Sequence, residues 1–596
     1  MPEIKQLAQI TTLPGIKRDG TSLDGDFYND GQWVRFVRKE GRPKKIGGFQ
    51  QITDQLQGPV RDLRVWSRAS MNGIYAFSPA GIEMVLVDNN GLGSSIVNRT
   101  PAGFVSNTNA VWSTDTQYDD AVSSSGTVIL AHCSSSLANI DDTTATKPYL
   151  GLATGSGVFT QIADAPSVSG GVFSVAPYTF VHGSDGFFAW SDANLPQTWY
   201  TSVAPIGDAG ADRITGAKIV KGLPLRSGSG PAALLWSLDS VIRMDYVGGG
   251  AIFKFSHLSS QSSILSQRSV IEYDGAYFWL GVDRFLACDA GQVRELPNQM
   301  NINWFFDNLN YAQRQKVWAM KVPRFGEIWW FFPYGDSTEC THAVIFNVRE
   351  QTWYDTECPR GAGYYSQILH YPVMANSSAS EKSQLLTLTG GSGTISVGDH
   401  LQGLTSGATG QVEMIVGTAY TVSLTVPGVS FTSGESVNDL TSGATRTLAS
   451  ISEQYSAYLH EKGYDAVAGD NVDAIYSMFE TCDFGYPTGG SQPNQIQGLN
   501  RWTRLIRVEP DFVQEGEMTC YVTGKEFANA PELVSSGYNF TSDTERIDMR
   551  EQRREIRLKF ESNTVGGHYE MGRVILHTEP GDVRDRKSTR LNSSHT

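Results

Sequence analysis

Apolar residues along most of this chain come in short dense runs separated by Gly, Asp, Asn and Ser. "VRDLRVWS", "GIYAFSP", "GIEMVLVD", "GTVILAHC" and "EIWWFFPYGD" are examples. Runs of this length bounded by turn residues predict β-strands. "THAVIFNVREQTWYDTE", residues 341–357, is a strand–turn–strand unit. Ala343, Val344, Ile345 and Phe346 lie in its first arm, and Trp353, Tyr354 and Asp355 in its second. "EYDGAYFWL" sets Asp274-Gly275 between two apolar runs, the pattern of a type I′ hairpin turn. Asp289-Ala290-Gly291 repeats the device. One stretch reads as helix, "INWFFDNLNYAQRQKVWAM", with Asp307 or Asn308 as its cap. The hairpin pattern runs from residue 55 to 380. That is too long for one sandwich and suits a β-propeller of four-stranded blades. Trp329, Trp330, Trp353 and Tyr354 are then expected to fill the wedges between blades.

The fold class expected is all-β: a β-propeller core, an inserted small duplicated β module and a C-terminal β-sandwich. Residues 1–54 read as a polar, Gly-rich N-terminal arm, and 55–386 as the first part of the propeller. The hexapeptide "LTSGAT" occurs at 404–409 and again at 440–445. Gly398-Asp399 matches Gly434-Glu435, and Ile415 matches Ile451, all at a spacing of 36 residues. This is an internal duplication, and it marks an inserted module over 387–452. Residues 453–499 complete the propeller and provide a linker; 500–584 form the sandwich. In its strand "REIRLKFE", Ile556, Leu558 and Phe560 alternate with Arg557 and Lys559, which predicts one buried and one wet face. The last residues, "DRKSTRLNSSHT" (585–596), break with everything before them and read like a translated sequencing adapter. They are set aside.

Two groups of basic residues stand out. The first is Arg35, Arg38, Lys39, Arg42, Lys44 and Lys45; the second, in "ERIDMREQRREIR", is Arg550, Arg553 and Arg554. The plain reading is a solvated strand edge, where Lys and Arg oppose edge-to-edge pairing. The functional reading is contact with another subunit.

Composition adds less. The chain has 596 residues, 61 of them Gly, and 11% aromatic residues, which agrees with many strands and turns. Its formal charge of −15 opposes non-specific nucleic-acid binding, which needs cations to displace counterions. It fits solubility, or a wall that DNA crosses without sticking. The six cysteines form no C-x-x-C pair, so buried free thiols are expected and zinc is not. The start, "MPEIKQLAQITTLPG", lacks a basic region followed by an apolar one. No apolar run approaches the ~18 residues of a membrane span. Synthesis in the cytoplasm is the expectation.

Catalytic patterns fail one by one. "SGSG" at 227–230 leads into Pro231 rather than opening a helix, so it is no nucleophile elbow. Phosphate-loop, H-E-x-x-H and EF-hand patterns do not occur. His132, His182, His257 and His342 sit singly in or beside expected strands and read as structural. "WSDANLPQTWY" (190–200) loosely matches an Asp-box turn through Asn194, Pro196, Thr198 and Trp199. Such turns mark propellers and do no chemistry. No catalytic residue, cofactor or metal is expected.

The order of the pieces carries more than any motif. "SLDGDFYNDGQWVRF…GRPKKIGGF" comes first, followed by "WSDANLPQTWY", "DRITGAKIVKGLPL", "LLWSLDSVIRMDYVGG", "SVIEYDGAYFWLGVDRFLACDAGQVREL" and "EIWWFFPYGD…AVIFNVREQTWYD". This order resembles the tail nozzle proteins of short-tailed bacteriophages, also called tail tubular or packaged-DNA-stabilisation proteins, over residues 10–380 and 455–584. The resemblance implies a structural virion protein that forms a sixfold homo-oligomeric ring below the portal and adaptor. Such a ring encloses the DNA exit channel, retains the genome and attaches tail fibres or spikes. DNA would pass its lumen without specific binding. The alternative is a surface or secreted β-propeller that binds or hydrolyses glycans, kept open by the "LTSGAT" module. A tail spike would need a long β-helical repeat or a coiled-coil stem, and neither pattern is visible.

Overall fold

The computed structural model describes residues 6–581 apart from short internal stretches, the longest being 135–144 and 487–501. Arg38, Lys39 and the set-aside tail 585–596 lie outside the described residues. The described chain is dominated by antiparallel strands, and its core is a seven-bladed propeller.

Six blades are consecutive four-stranded meanders, each strand hydrogen-bonded to the next in sequence. They begin at Asp62–Arg68, Val111–Tyr118, Gly171–Val175, Ile219–Pro224, Ile271–Tyr273 and Trp318–Val322. In each blade the first strand lies innermost, beside the first strands of its neighbours. The turns are those the residues dictate: Asp274 and Gly275 have φ of 50° and 82°, and Ala290 and Gly291 repeat this at 48° and 78°. Between successive blades lies one apolar cluster each. Phe77, Trp112 and Phe159 join the first two blades, and Phe285, Trp330 and Trp353 join the fifth and sixth.

The seventh blade is a composite. Its sheet runs Arg360–Tyr364, Val373–Asn376, Ala457–His460 and, from the other end of the chain, Phe49–Gln51, and continues outward through Asp465–Ala468 and Asn471–Ala474. Tyr458 pairs with Gln51 and His460 with Phe49, which closes the ring by hydrogen bonds between early and late residues. Gly48 makes the approach possible, because a Cβ there would meet the Asp465 carbonyl oxygen at 2.3 Å.

The duplicated segment folds as a closed six-stranded barrel running from Ser383–Ser392 to Thr445–Ser452, slightly longer than expected. It enters between the second and third strands of the seventh blade. Its core is built of residue pairs separated by the sequence repeat: Leu386 and Val422, Leu388 and Leu424, Ile395 and Phe431, Leu401 and Val437, Ala408 and Ala444, Val412 and Leu448. The hydrogen bonds repeat too. Leu404 N donates to the Ser436 carbonyl at 2.9 Å, and Leu440 N to the His400 carbonyl at 2.7 Å. Each repeat therefore supplies half of a pseudo-twofold barrel.

The N-terminal segment is not an arm. Gln6–Gln9 pairs with Ile575–Pro580, Asp30–Gln32 with Ser477–Glu480, and Val34–Val37 with Arg42–Lys45, which reaches His568–Met571. The C-terminal body is consequently three sheets that use strands from both ends of the chain. Its core is continuous with that of the sixth blade: Phe36, Phe479 and Leu558 share one cluster with Trp329 and Tyr354. The wet face expected for "REIRLKFE" is corrected at Arg557, which is buried against Glu480, Asp483 and Glu532. The strand lies mid-sheet, between Met518–Lys525 and Ser477–Glu480, and on the face expected to be wet the acids cover Arg557 while Lys559 stays half-buried. The helix is shorter than expected, Ile302–Asn308. Neither Asp307 nor Asn308 can cap its start, because both sit at its end. The Asp19 carboxylate does so instead, accepting from Asn303 N at 2.9 Å and Trp304 N at 2.8 Å.

The barrel makes all its ladder pairs within itself, and its first and last strands are neighbours, with Leu385 opposite Ser452. Replacing 383–452 by a short Gly-Ser linker is therefore expected to leave the rest folded. Circular dichroism should show a single cooperative melt within a few degrees of the parent. Loss of that melt would mean that the barrel is needed by the propeller.

Candidate functional site

Two charged assemblies stand out from this fold. The first locks the N-terminal segment onto the sixth blade. Arg35 is 1% exposed and lies between two carboxylates. Its Nε and Nη2 donate to Glu327 at 2.8 and 3.1 Å, and Nη1 donates to Glu461 at 2.9 Å. Glu327 is also held by the Tyr354 hydroxyl at 2.7 Å and by Trp329 Nε1 at 2.8 Å. The Phe325 ring covers the guanidinium at 3.6 Å. Burial alone would lower the Arg35 pKa, but Glu327 and Glu461 outweigh it and the net shift is upward. Burial raises the Glu327 pKa, and Arg35 only partly reverses this.

The hairpin of His342–Asn347 and Thr352–Glu357 is the dock for this segment. Arg18 holds Asp355 at 2.9 Å and Asp30 at 2.5 Å. Trp33 N donates to the Thr356 hydroxyl at 2.9 Å, and the Thr352 hydroxyl to the Pro14 carbonyl at 2.8 Å. The aromatics of this hairpin and of the strand before it, Glu327–Phe332, divide by strand alternation. Trp330 and Trp353 pack against Phe285 of the fifth blade, at 5.3 and 4.6 Å. Trp329 and Tyr354 turn the other way, into the core shared with the end body. The first pair fills the wedge between the fifth and sixth blades; the second lies on the opposite side of the sixth blade, in the core that also holds Met374 of the seventh.

The second assembly lies on the propeller axis. Arg64 and Asp62 of the first blade, Asp115 of the second and Lys221 of the fourth come from innermost strands; Arg268 precedes the fifth. Arg64 Nε donates to the Thr114 hydroxyl at 2.8 Å, and its Nη2 lies 3.7 Å from Asp115. The Asp62 carboxylate accepts from Thr114 at 2.7 Å and from Leu63 N at 2.9 Å. Asp115 accepts from Ser174 N at 2.9 Å. Arg268 Nη2 donates to the Gly361 carbonyl at 3.0 Å. Burial lowers the Lys221 pKa; Asp62 and Asp115 oppose this, while Arg64 and Arg268 add to it. Burial likewise lowers the Arg268 guanidinium to about 10. Nothing in the sequence pattern singled these residues out beyond their place at the start of each blade.

The basic residues flagged from sequence do not converge. Arg35 and Lys45 are corrected: both are buried, and Lys45 Nζ donates to the Gly567 carbonyl at 2.8 Å, so neither offers a surface. The half-buried Lys44 pairs with Glu570 at 3.2 Å, and Arg42 Nη1 donates to the Gly572 carbonyl at 2.6 Å. Arg553 pairs with Glu551 at 2.9 Å, and Arg554 lies over Phe527 at 5.6 Å. Arg550 is exposed. Among the described residues no group of three or more His, Cys, Asp or Glu side chains is placed to hold a metal ion. Five of the six cysteines are buried, and all are free thiols.

No family model matches the chain, and no curated protein matches it. Solved structures align only loosely. The computationally designed Ika8 protein is 10% identical, covers 55% of this chain and 97% of its own, and gives a TM-score of 0.31. The WD40 domain of Toxoplasma gondii coronin is 13% identical over 62% and 89%, at 0.28. BamB from Moraxella catarrhalis is 12% identical over 69% and 99%, at 0.27. Likeness at this level adds nothing to the fold or the function; the strand topology carries the propeller.

Replacing Arg35 by Met strands two buried carboxylates, and a loss of about 3–5 kcal/mol in unfolding free energy is expected. Arg550→Ala, at an exposed site, should change it by less than about 0.5 kcal/mol. Urea denaturation of both variants checks the contrast. Buried histidines set the acid side. Burial lowers His132 to about 4 and His182 to about 3. Below the ordinary histidine pKa of about 6.5 the unfolded chain takes up protons that the folded chain refuses. Stability is therefore complete above about pH 6.5 and falls toward about pH 4, by up to ~1.4 kcal/mol per pH unit for each histidine. Urea midpoints measured at about pH 7.5 and about pH 5.5 should differ accordingly; equal midpoints would contradict the buried neutral state.

Proposed function

We propose that this protein is a structural virion protein, a tail nozzle subunit that assembles as a ring around the DNA exit channel. In this reading it retains the packaged genome, docks below a portal or adaptor ring and carries tail fibres or spikes. It is made in the host cytoplasm and resides in the virion tail. One observation supports this most directly: the chain is woven shut. Residues 6–9 pair with 575–578, and residues 49–51 close the propeller. The intervening segment is bolted to the sixth blade through Arg18 and Arg35. A wall around pressurised DNA is loaded mechanically, and such a weave prevents either end from peeling while the blades stay closed. The order of sequence pieces that resembles the nozzle family supports the same reading. Charged side chains from innermost strands of the first, second and fourth blades lie within electrostatic range of one another, which in this reading leaves no bore for a duplex within one subunit. The exit channel would lie between subunits, each presenting two different faces to its neighbours.

Electron microscopy of the purified full chain tests this. Closed rings with sixfold symmetry and a central bore are expected. A protein that stays monomeric at high concentration and is retained on immobilised glycans would overturn the nozzle reading in favour of a glycan-binding propeller.

A further inference from the structure

The axial charges are unbalanced, and the imbalance is confined to one place. Arg64, Lys221 and Arg268 face two carboxylates, Asp62 and Asp115. Both carboxylates are already occupied. Asp62 accepts from Thr114 and Leu63 N, and Asp115 accepts from Ser174 N and Thr116 N and lies beside Arg64. Among the described residues the Lys221 ammonium has no hydrogen bond or ion pair, although it lies deep in the molecule. Arg268 has a carbonyl and the face of Trp318, at 5.7 Å, but no carboxylate within ion-pair distance. The next innermost pair along the ring is already neutral, with Lys321 holding Glu272 at 2.9 Å.

These groups are deep yet not sealed. The Arg64 and Asp115 side chains keep 21% and 19% of their exposure, and Lys221 and Arg268 are half-buried. These cations thus sit on or beside innermost strands and keep some access to solvent. An isolated buried ammonium is costly unless it is paired. We propose that the propeller axis is a binding site for a small oxyanion of the phosphate class, held by Lys221 and Arg268 with Arg64 at its side. The planar guanidinium of Arg268 suits a tetrahedral or carboxylate oxyanion, and Lys221 supplies a movable point charge. A bound anion supplies the missing negative charge and ties the first, fourth and fifth blades together across the axis.

Inorganic phosphate is the probe, and the full-length protein is the sample. Thermal melts with phosphate are compared with sodium chloride at equal ionic strength. The melting midpoint is expected to rise with phosphate alone, and the apparent dissociation constant to weaken at least about tenfold in Lys221→Met, as expected for loss of one charge-assisted contact. A measurement that needs no variant accompanies it. Amine acylation read by peptide mass spectrometry should show phosphate slowing modification of Lys221 but not of the exposed Lys218 and Lys254. A midpoint that responds equally to chloride, or Lys221 labelling unchanged by phosphate, would overturn the site.

Discussion

One buried guanidinium holds the architecture in register. Arg35 reaches Glu327, 292 residues away, and Glu461, 426 residues away, from a position closed to water. Such a triad is a poor source of net stability, because desolvating three charges offsets most of their attraction. Its value is geometric. The carboxylates accept only a guanidinium presented at one angle, and that angle fixes the N-terminal strand against the sixth blade and against the segment that follows the barrel. A slip of one residue in Val34–Val37 would move Arg35 to the opposite face and leave both acids unpaired. The ring closure at Phe49–Gln51 lies 14 residues downstream of Arg35, just past the strand Arg42–Lys45 that pairs with Val34–Val37, so the same register bears on whether the seventh blade is completed.

The inserted barrel shows the opposite strategy. It depends on nothing outside itself, because two copies of one half-barrel satisfy each other. The pairing of Leu404 with Ser436 is answered by Leu440 with His400, and every buried core residue but Tyr420 has its partner one repeat away. Placed inside the composite seventh blade, it adds a compact body without disturbing a propeller ladder. The molecule therefore joins a woven frame, in which distant segments need one another, to a module that needs only its own duplication.

This contrast explains what could be read in the sequence. Hairpins with local turns, such as Asp274-Gly275, and the repeat at "LTSGAT" were legible because their information is local. The seventh blade was legible in part: completion after the insertion was expected and Ala457–His460 supplies it, but the strand Phe49–Gln51, only three residues long and near the other end of the chain, was read as part of an arm. The N-terminal segment looked like an arm because its strands are short and rich in Lys and Arg. For such residues exposure is the sound default, and Arg35, Lys45 and Arg557 depart from it only through partners far along the chain. Trp329 and Trp330 are adjacent yet serve different cores, because successive residues of a strand point to opposite faces. The axial group of Asp62, Arg64, Asp115, Lys221 and Arg268 had no motif at all, because closure of the ring is what brings those positions together.

The acidic balance takes a second meaning from the structure. A chain made of hairpins and loops has many backbone N–H groups with no ladder partner, and each needs an acceptor. Carboxylates fill that role here. Asp19 takes two amides at the helix start, Asp88 takes Asn90 N and Leu92 N, Asp192 takes Gly207 N and Ala209 N, and Glu435 takes Thr405 N, Ser406 N and Thr432 N. Part of the net charge of −15 is thus a requirement of turn-rich architecture, independent of any partner. Among the cations inside, Arg35 is held by two carboxylates, whereas among the described residues Lys221 has no hydrogen bond or ion pair.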